Sequence, residues 1–157
     1  MDFATMYPLV QLAFPGFTDR ALEALSVARK QAADARHRYV TPEHLLLALA
    51  QIEAGPGRVA LSGLGVDLLE ETAHVASLIP AGPVATAEDR LSFSPAAERL
   101  LAEAKAGATE LGHRYVGTEH FVLGMLRCGP CPAGDYLRQR GITVDGFRRE
   151  VIRLLGG

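Results

Sequence analysis

The chain has 157 residues, 48% of them hydrophobic and 22% charged, which is material for one ordinary core or two small fused ones. Sixteen basic against 18 acidic residues give a formal net charge of -2, too little imbalance for a nucleic-acid or anionic-membrane footprint. No uncharged apolar run approaches the roughly 18 to 20 residues that cross a bilayer, and the opening MDFATMYPLVQLAFPG carries Asp2 but no Lys or Arg, so it lacks the charged start of a secretory signal. A soluble, cytoplasmic protein is the expectation.

Residues 1–16 read as an N-terminal extension that includes Tyr7-Pro8 and Phe14-Pro15. A first helix follows, with Thr18 ahead of Asp19 as its N-cap and Leu22, Leu25, Ala28 and Ala32 at steps of three and four. Thr41-Pro42-Glu43 opens a second helix through Leu45, Leu46, Leu49 and Ile52, the proline suiting a first turn. A short helix around Val59 to Leu61 ends near Gly63 or Gly65, and a last one carries Leu68, Leu69, Val75, Leu78 and Ile79 on one side. Residues 80–92, beginning Pro80-Ala81-Gly82-Pro83, lack a sustained apolar period and read as a linker.

After the linker the chain repeats itself. His37-Arg38-Tyr39-Val40 with Glu43-His44 returns as His113-Arg114-Tyr115-Val116 with Glu119-His120, an offset of 76 positions. The same offset carries Phe17 to Phe93, Leu25 to Leu101, Gly65 to Gly141 and Val75 to Val151 without a gap. Unbroken register of this kind is the mark of a duplicated unit. Copy one is residues 17–79 and copy two is residues 93–157. In copy two, Ser94-Pro95 opens a helix through Leu100, Leu101, Ala104, Ala108 and Leu111, and Gly117-Thr118-Glu119 opens one through Phe121, Val122 and Met125. A short helix at Tyr136 and Leu137 precedes a last one with Val144, Phe147, Val151, Leu154 and Leu155. Four helices per copy, with few β-branched alternations, predict an all-α fold of two tandem four-helix repeats packed as one domain.

A phenylalanine-hydroxyl pair, an H-x-Y-V segment running into Thr-Glu-His or Pro-Glu-His, a glycine-bearing loop and a Gly-Ile or Gly-Val turn, all duplicated, resemble the Clp N-terminal domain of ClpC- and ClpA-type AAA+ unfoldases. The likeness covers about residues 17 to 156. Copy two reads Gly117-Thr118-Glu119-His120, the family's usual form, whereas copy one has Thr41-Pro42-Glu43-His44. The 157 residues contain no G-x-x-x-x-G-K-[ST] phosphate loop, so a stand-alone, non-catalytic module is expected. The resemblance implies binding of client proteins, adaptors or Clp ATPase and protease components, and in the ClpC-like branch recognition of phosphorylated arginine. Such a ligand needs a helix N-terminus for its anionic end and a carboxylate for its guanidinium. By matching positions, Thr18 and Ser94 would hold the phosphate and Glu43 and Glu119 the guanidinium. The family's arginine after the hydroxyl survives as Arg20 in copy one, while copy two has Ala96, which marks copy two as the weaker site. Some relatives also take cyclic peptide antibiotics on an aromatic surface, and Phe14 and Phe93 match its positions. That leaves open a regulatory or immunity protein sequestering such a peptide.

Each of these residues also has a plainer reading. Phe14 and Phe93 suit packing between the copies, Thr18 and Ser94 suit simple capping, and Glu43 and Glu119 are favoured in a first turn by the helix dipole alone. His37, His44, His113 and His120 have metal-binding chemistry, but duplication explains their recurrence and no metal or other cofactor is expected. Cys128-Gly129-Pro130-Cys131 has the spacing of a thiol oxidoreductase, a third functional reading. Here it follows a predicted helix rather than a strand, so a reversible disulfide in an inter-helix loop is the simpler expectation. Arg138, Arg140, Arg148, Arg149 and Arg153 read as a solvated helical face.

Overall fold

The computed structural model describes residues 12–79 and 92–155. Most of the predicted extension and of the linker therefore lies outside the described residues. Copy one contains α1 (Asp19–Asp34), β1 (Tyr39–Val40), α2 (Pro42–Gln51), α3 (Pro56–Gly63) and α4 (Thr72–Ser77). Copy two contains β2 (Ser92–Phe93), α5 (Pro95–Glu110), α6 (Thr118–Arg127), α7 (Pro132–Gln139) and α8 (Val144–Leu155). Ser92, placed at the end of the predicted linker, pairs in β2. The mostly helical architecture agrees with the sequence pattern; the two-residue strands were not foreseen.

Those strands set the architecture. β1 and β2 run parallel, with Val40 opposite Phe93, and an isolated parallel bridge joins Phe17 to Val116. The two pairings are the same one made twice with the copies exchanged. Ser94 N–H donates to Val40 O and Thr18 N–H donates to Val116 O, each at 2.9 Å. Each copy thus supplies the strand carbonyl that anchors the start of the other copy's first long helix. Both helices are capped as their sequences predict: Ala21 N–H donates to Thr18 Oγ1 and Ala97 N–H to Ser94 Oγ, each at 3.1 Å, satisfying first-turn donors that the helix itself leaves open.

Packing follows the same exchange. α1 lies on α2 and α5 on α6 within their copies, whereas α3 lies on α6 and α8 and α7 lies on α2 across them. A single core runs through both copies, with Leu22, Leu25, Leu46, Leu100, Phe121 and Phe147 fully buried. Removing each such side chain from water contributes about 1.5–3 kcal/mol. A polar clamp fastens the rim: Arg140 makes a forked ion pair with Glu71 at 2.8 Å and lies 4.1 Å from the Tyr136 ring, whose hydroxyl also donates to Glu71.

The copies differ at their ends. The last helix of copy one is α4 alone, shorter than the apolar pattern from Leu68 suggests. Asp67 Oδ1 accepts the N–H groups of Leu69 and Glu70, and Thr72 Oγ1 donates back to the carbonyls of Leu68 and Leu69. Side-chain bonds of this kind compete with the helical ladder, so Leu68 is buried in a turn while Leu69 is exposed.

The α5–α6 crossing depends on a missing side chain. A Cβ on Gly124 would collide with the Leu100 carbonyl oxygen, and at the matching place copy one has Ala24 against Ala48. In an open helix Gly→Ala gains roughly 1 kcal/mol of propensity. Here we expect Gly124→Ala to lower stability instead, by about 1–3 kcal/mol as an overpacked contact, measured by urea unfolding.

Candidate functional site

The exchanged backbone decides which hydroxyl meets which carboxylate. Thr18 is tied to Val116, three residues before Glu119, and Ser94 to Val40, three residues before Glu43. Each candidate site is therefore composite, drawing its helix N-terminus from one copy and its glutamate from the other. Grouping residues by copy sets Ala96 beside Glu119; the fold sets Arg20 on the same side as Glu119 and Ala96 on the side of Glu43. Arg20 is itself engaged, donating to Glu23 at 3.0 Å and Glu53 at 3.3 Å.

The two carboxylates occupy matching places but do different things. Gly57 and Ala133 are related by the same offset, and each opens a short helix against the other copy. Gly57 N–H donates to Thr118 Oγ1 at 3.0 Å. For its counterpart Ala133 the position matching Thr118 is Pro42, which has no hydroxyl, and Ala133 N–H donates instead to Glu43 Oε2 at 2.9 Å. Glu43 is free to reach there, and Glu119 is free to fold back, because of a second difference. A Cβ on Gly117 would collide with Glu119 Oε1, and copy one has Thr41 at that position. The departure of Thr41-Pro42 from Gly117-Thr118, visible in the sequence, thus redirects a carboxylate.

Glu119 is 1% exposed and its Oε1 has no hydrogen-bond partner among the described residues. Its Oε2 accepts a long 3.4 Å bond from the Tyr115 hydroxyl. Burial pushes its carboxyl above the ordinary range, against smaller pulls from its own backbone N–H, His113 and Tyr115. Glu43, 9% exposed, is likewise raised by burial, opposed first by Ala133 N–H.

The histidines hold these helix starts together. Gly117 N–H donates to His120 Nδ1 at 2.8 Å and Thr41 N–H to His44 Nδ1 at 2.9 Å. The Thr41 hydroxyl accepts His44 N–H in return at 3.4 Å, completing a capping box, whereas Gly117 has no side chain and accepts His120 N–H through its backbone carbonyl at 3.0 Å. With Nδ1 accepting, a neutral ring carries its proton on Nε2, which donates to His113 Nδ1 or His37 Nδ1 at 2.9 Å. Donor atoms of His113, Glu119 and His120 come within 4.8 Å of one another, close enough to bracket a cation. Ligation through His120 Nε2 would require giving up the Gly117 cap or forming an imidazolate, so the geometry favours capping over metal.

Two clefts border the composite sites. One of about 280 Å³ is lined by Phe17, Lys105, His113, Arg114 and Tyr115, among others, and Lys105 lies 6.0 Å from the Phe17 ring centroid. Another of about 210 Å³ is lined by His37, Arg38, Tyr39, Glu43 and Leu78, among others. Lys105 and the cleft itself had no signal in the residue pattern, since α5 reaches Phe17 only through the exchanged packing. Phe14 and Phe93 meet edge to face at 5.8 Å, and Phe14 leads through Phe17 to Phe121 at 5.2 and 5.9 Å; both are half-buried against the core. Arg138, Arg140 and Arg153 of the predicted basic face are each paired with an acid. Cys128 caps the end of α6 and Cys131 the start of α7, so the motif joins two helices. Among the described residues no helix is long and apolar enough to cross a membrane.

Residues 16–140 match the family model of the Clp repeat (R) N-terminal domain. The chain is 32% identical over 145 residues to the chaperone protein ClpB of Oceanobacillus iheyensis and 33% identical over 145 residues to the negative regulator of genetic competence ClpC/MecB of Bacillus subtilis. Each alignment covers 92% of this chain and 18% of the relative, so the chain spans about a fifth of the length of these curated relatives. Among solved structures, the N-domain of ClpV from Vibrio cholerae superposes with a TM-score of 0.75 at 20% identity, over 99% of this chain and 90% of that one. The N-terminal domain of ClpD from Arabidopsis thaliana gives 0.69 at 22% identity, over 92% and 97%.

Burial holds His44 and His120 down at about 4, from an ordinary value of 6.5, with a smaller contribution from His37 or His113. Between those values the unfolded chain binds protons that the folded one refuses, so stability falls as pH drops from about 6.5 toward 4. The raised carboxyls of Glu43 and Glu119 act in the opposite sense. A His44→Gln, His120→Gln variant keeps capping-box acceptors and should show a flatter loss of thermal stability across that window than wild type. Melting followed by circular dichroism checks this.

Proposed function

Because the chain belongs to the Clp repeat (R) N-terminal domain family, we propose that it is a non-catalytic module that binds client proteins or adaptors of a Clp machine, and that phosphorylated arginine is one mark it reads. Names among its relatives, a chaperone and an ATP-binding subunit of a Clp protease, support the first part. The observation that carries the second is the buried Oε1 of Glu119, which lies behind Tyr115 with no hydrogen-bond partner among the described residues.

Leaving a carboxylate buried without a cation is costly, and a guanidinium placed against it offsets that cost with paired, charge-assisted hydrogen bonds. Tyr115 lines the cleft that also holds Lys105 and Arg114, and its bond to Glu119 is long enough to yield to a stronger donor. The Thr18-capped start of α1 borders the same place through Val116. A phosphoryl group would lie toward Lys105, Arg114 and that helix start, and the guanidinium would turn inward to Glu119. Ser94 and Glu43 form the second composite site, where one carboxylate oxygen already serves Ala133 and the cleft carries Arg38 but has Leu78 and Ile79 in its lining. These differences support Glu119 over Glu43 as the carboxylate of the stronger proposed site.

Isothermal titration with free phosphoarginine, with unmodified arginine as the control, tests the reading. Saturable binding should weaken at least about tenfold in Glu119→Ala, equivalent to about 1.4 kcal/mol. Glu43→Ala should bind nearly as wild type but lose about 1–3 kcal/mol of stability, because Ala133 N–H is left without its acceptor. Absence of saturable heat from folded wild-type protein would overturn the phosphoarginine reading.

A further inference from the structure

The cysteine pair is not used by the ligand site, yet its geometry is specific. Cys128 Sγ and Cys131 Sγ are 3.7 Å apart, in contact across a thiol hydrogen bond, and both cysteines are free. The loop between them is held from three sides. Arg99 Nε donates to Cys128 O at 2.9 Å, Arg138 Nη1 to Leu126 O at 3.2 Å, and Gly129 takes the left-handed turn at φ 98°. Gly134 brings the start of α7 against the Met125 carbonyl, 2.6 Å from where a Cβ would stand.

The two sulfurs are not equivalent. Cys131 is the N-cap of α7 and its Sγ accepts Gly134 N–H at 3.3 Å, so the helix start stabilises a negative sulfur there. Cys128 sits at the other kind of helix end and its thiol points to the Met125 carbonyl at 3.7 Å, which favours the protonated form. This reverses the order found in C-x-x-C oxidoreductases of the thioredoxin type, where the first cysteine opens the helix. The acidities agree: Cys131 is drawn down to about 7, chiefly by the Cys128 thiol, and Cys128 is pushed up, chiefly by Cys131. Access is narrow, with Cys131 6% and Cys128 3% exposed, which favours small-molecule reagents such as a peroxide over a thiol or disulfide carried on another protein.

We infer that Cys128 and Cys131 form a reversible dithiol–disulfide site oxidised by hydrogen peroxide, with Cys131 as the attacking sulfur and Cys128 as the resolving one. The Cys131 thiolate attacks one peroxide oxygen, the O–O bond breaks, and hydroxide leaves and takes up a proton as water; Cys131 is then a sulfenic acid. Cys128 gives up its proton and its sulfur attacks Cys131 Sγ, forming the S–S bond and expelling the sulfenic oxygen as a second water. Two thiols and one peroxide become one disulfide and two waters, and an external dithiol reverses the change. Glu43 meets the same helix start through Ala133 N–H, so oxidation removes a negative charge that would compete with Glu43 there. The inference is independent of the phosphoarginine reading.

The test is intact-mass measurement under non-reducing conditions during a hydrogen peroxide titration, with Cys128→Ser and Cys131→Ser beside wild type and a dimedone-type sulfenic acid trap present. Serine preserves a capping group at 131, and circular dichroism verifies that each variant is folded. Wild type should lose two hydrogens before any of its three methionines gains oxygen, and dithiothreitol should restore the mass. Cys128→Ser should take up one trap and Cys131→Ser none. Methionine oxidation with both thiols intact would overturn the site, and trapping in Cys131→Ser but not in Cys128→Ser would overturn the assigned order.

Discussion

The carbonyls of Val40 and Val116 each accept an amide from the opposite copy, at Ser94 and Thr18. These two bonds fix where α1 and α5 begin, and the candidate residues Thr18, Ser94, Glu43 and Glu119 are placed relative to those beginnings. A helix start needs acceptors for its open N–H groups, and Thr18 and Ser94 supply them in cis. Holding the start against the other copy then needs only one parallel pairing per side, Phe17 with Val116 and Phe93 with Val40. The hydrophobic contacts of α3 and α7 across the copies close the arrangement into one core.

Within this frame, small differences between the copies have large local effects. Thr118 satisfies Gly57 N–H with a hydroxyl, while Pro42 cannot satisfy Ala133 N–H and Glu43 does so in its place. Gly117 leaves room for Glu119 to turn back, and Thr41 removes that room from Glu43. One glutamate is thereby held as part of the joint between copies and the other has an oxygen with no partner among the described residues. Identical side chains at matching positions have acquired different chemistry through neighbours one and two residues away.

Much of the fold was legible in the residues themselves. The unbroken offset announced the duplication, the helical spacing marked eight helices, and the hydroxyl before each long helix proved to be a cap. What escaped was whatever depends on partners far away in the chain. No local pattern shows that Thr18 belongs with Glu119 rather than Glu43, that Lys105 reaches Phe17, or that a two-residue strand forms at Tyr39. The shortening at Asp67 was missed because apolar spacing takes no account of side chains that bond the backbone, as Thr72 does. The Cys128-Gly129-Pro130-Cys131 motif has the same lettering in either orientation of its helices; only the fold shows that its second cysteine is the one opening a helix.

The exchanged pairing also has a mechanical meaning. In a tandem array of self-contained repeats, tension along the chain can release one repeat while its neighbour survives. Here the strand contacts that anchor α1 are made by copy two and those that anchor α5 by copy one, so neither copy retains its footing once the other is drawn away. Under load the two halves yield together, as a single brittle unit rather than a chain of two extensible ones.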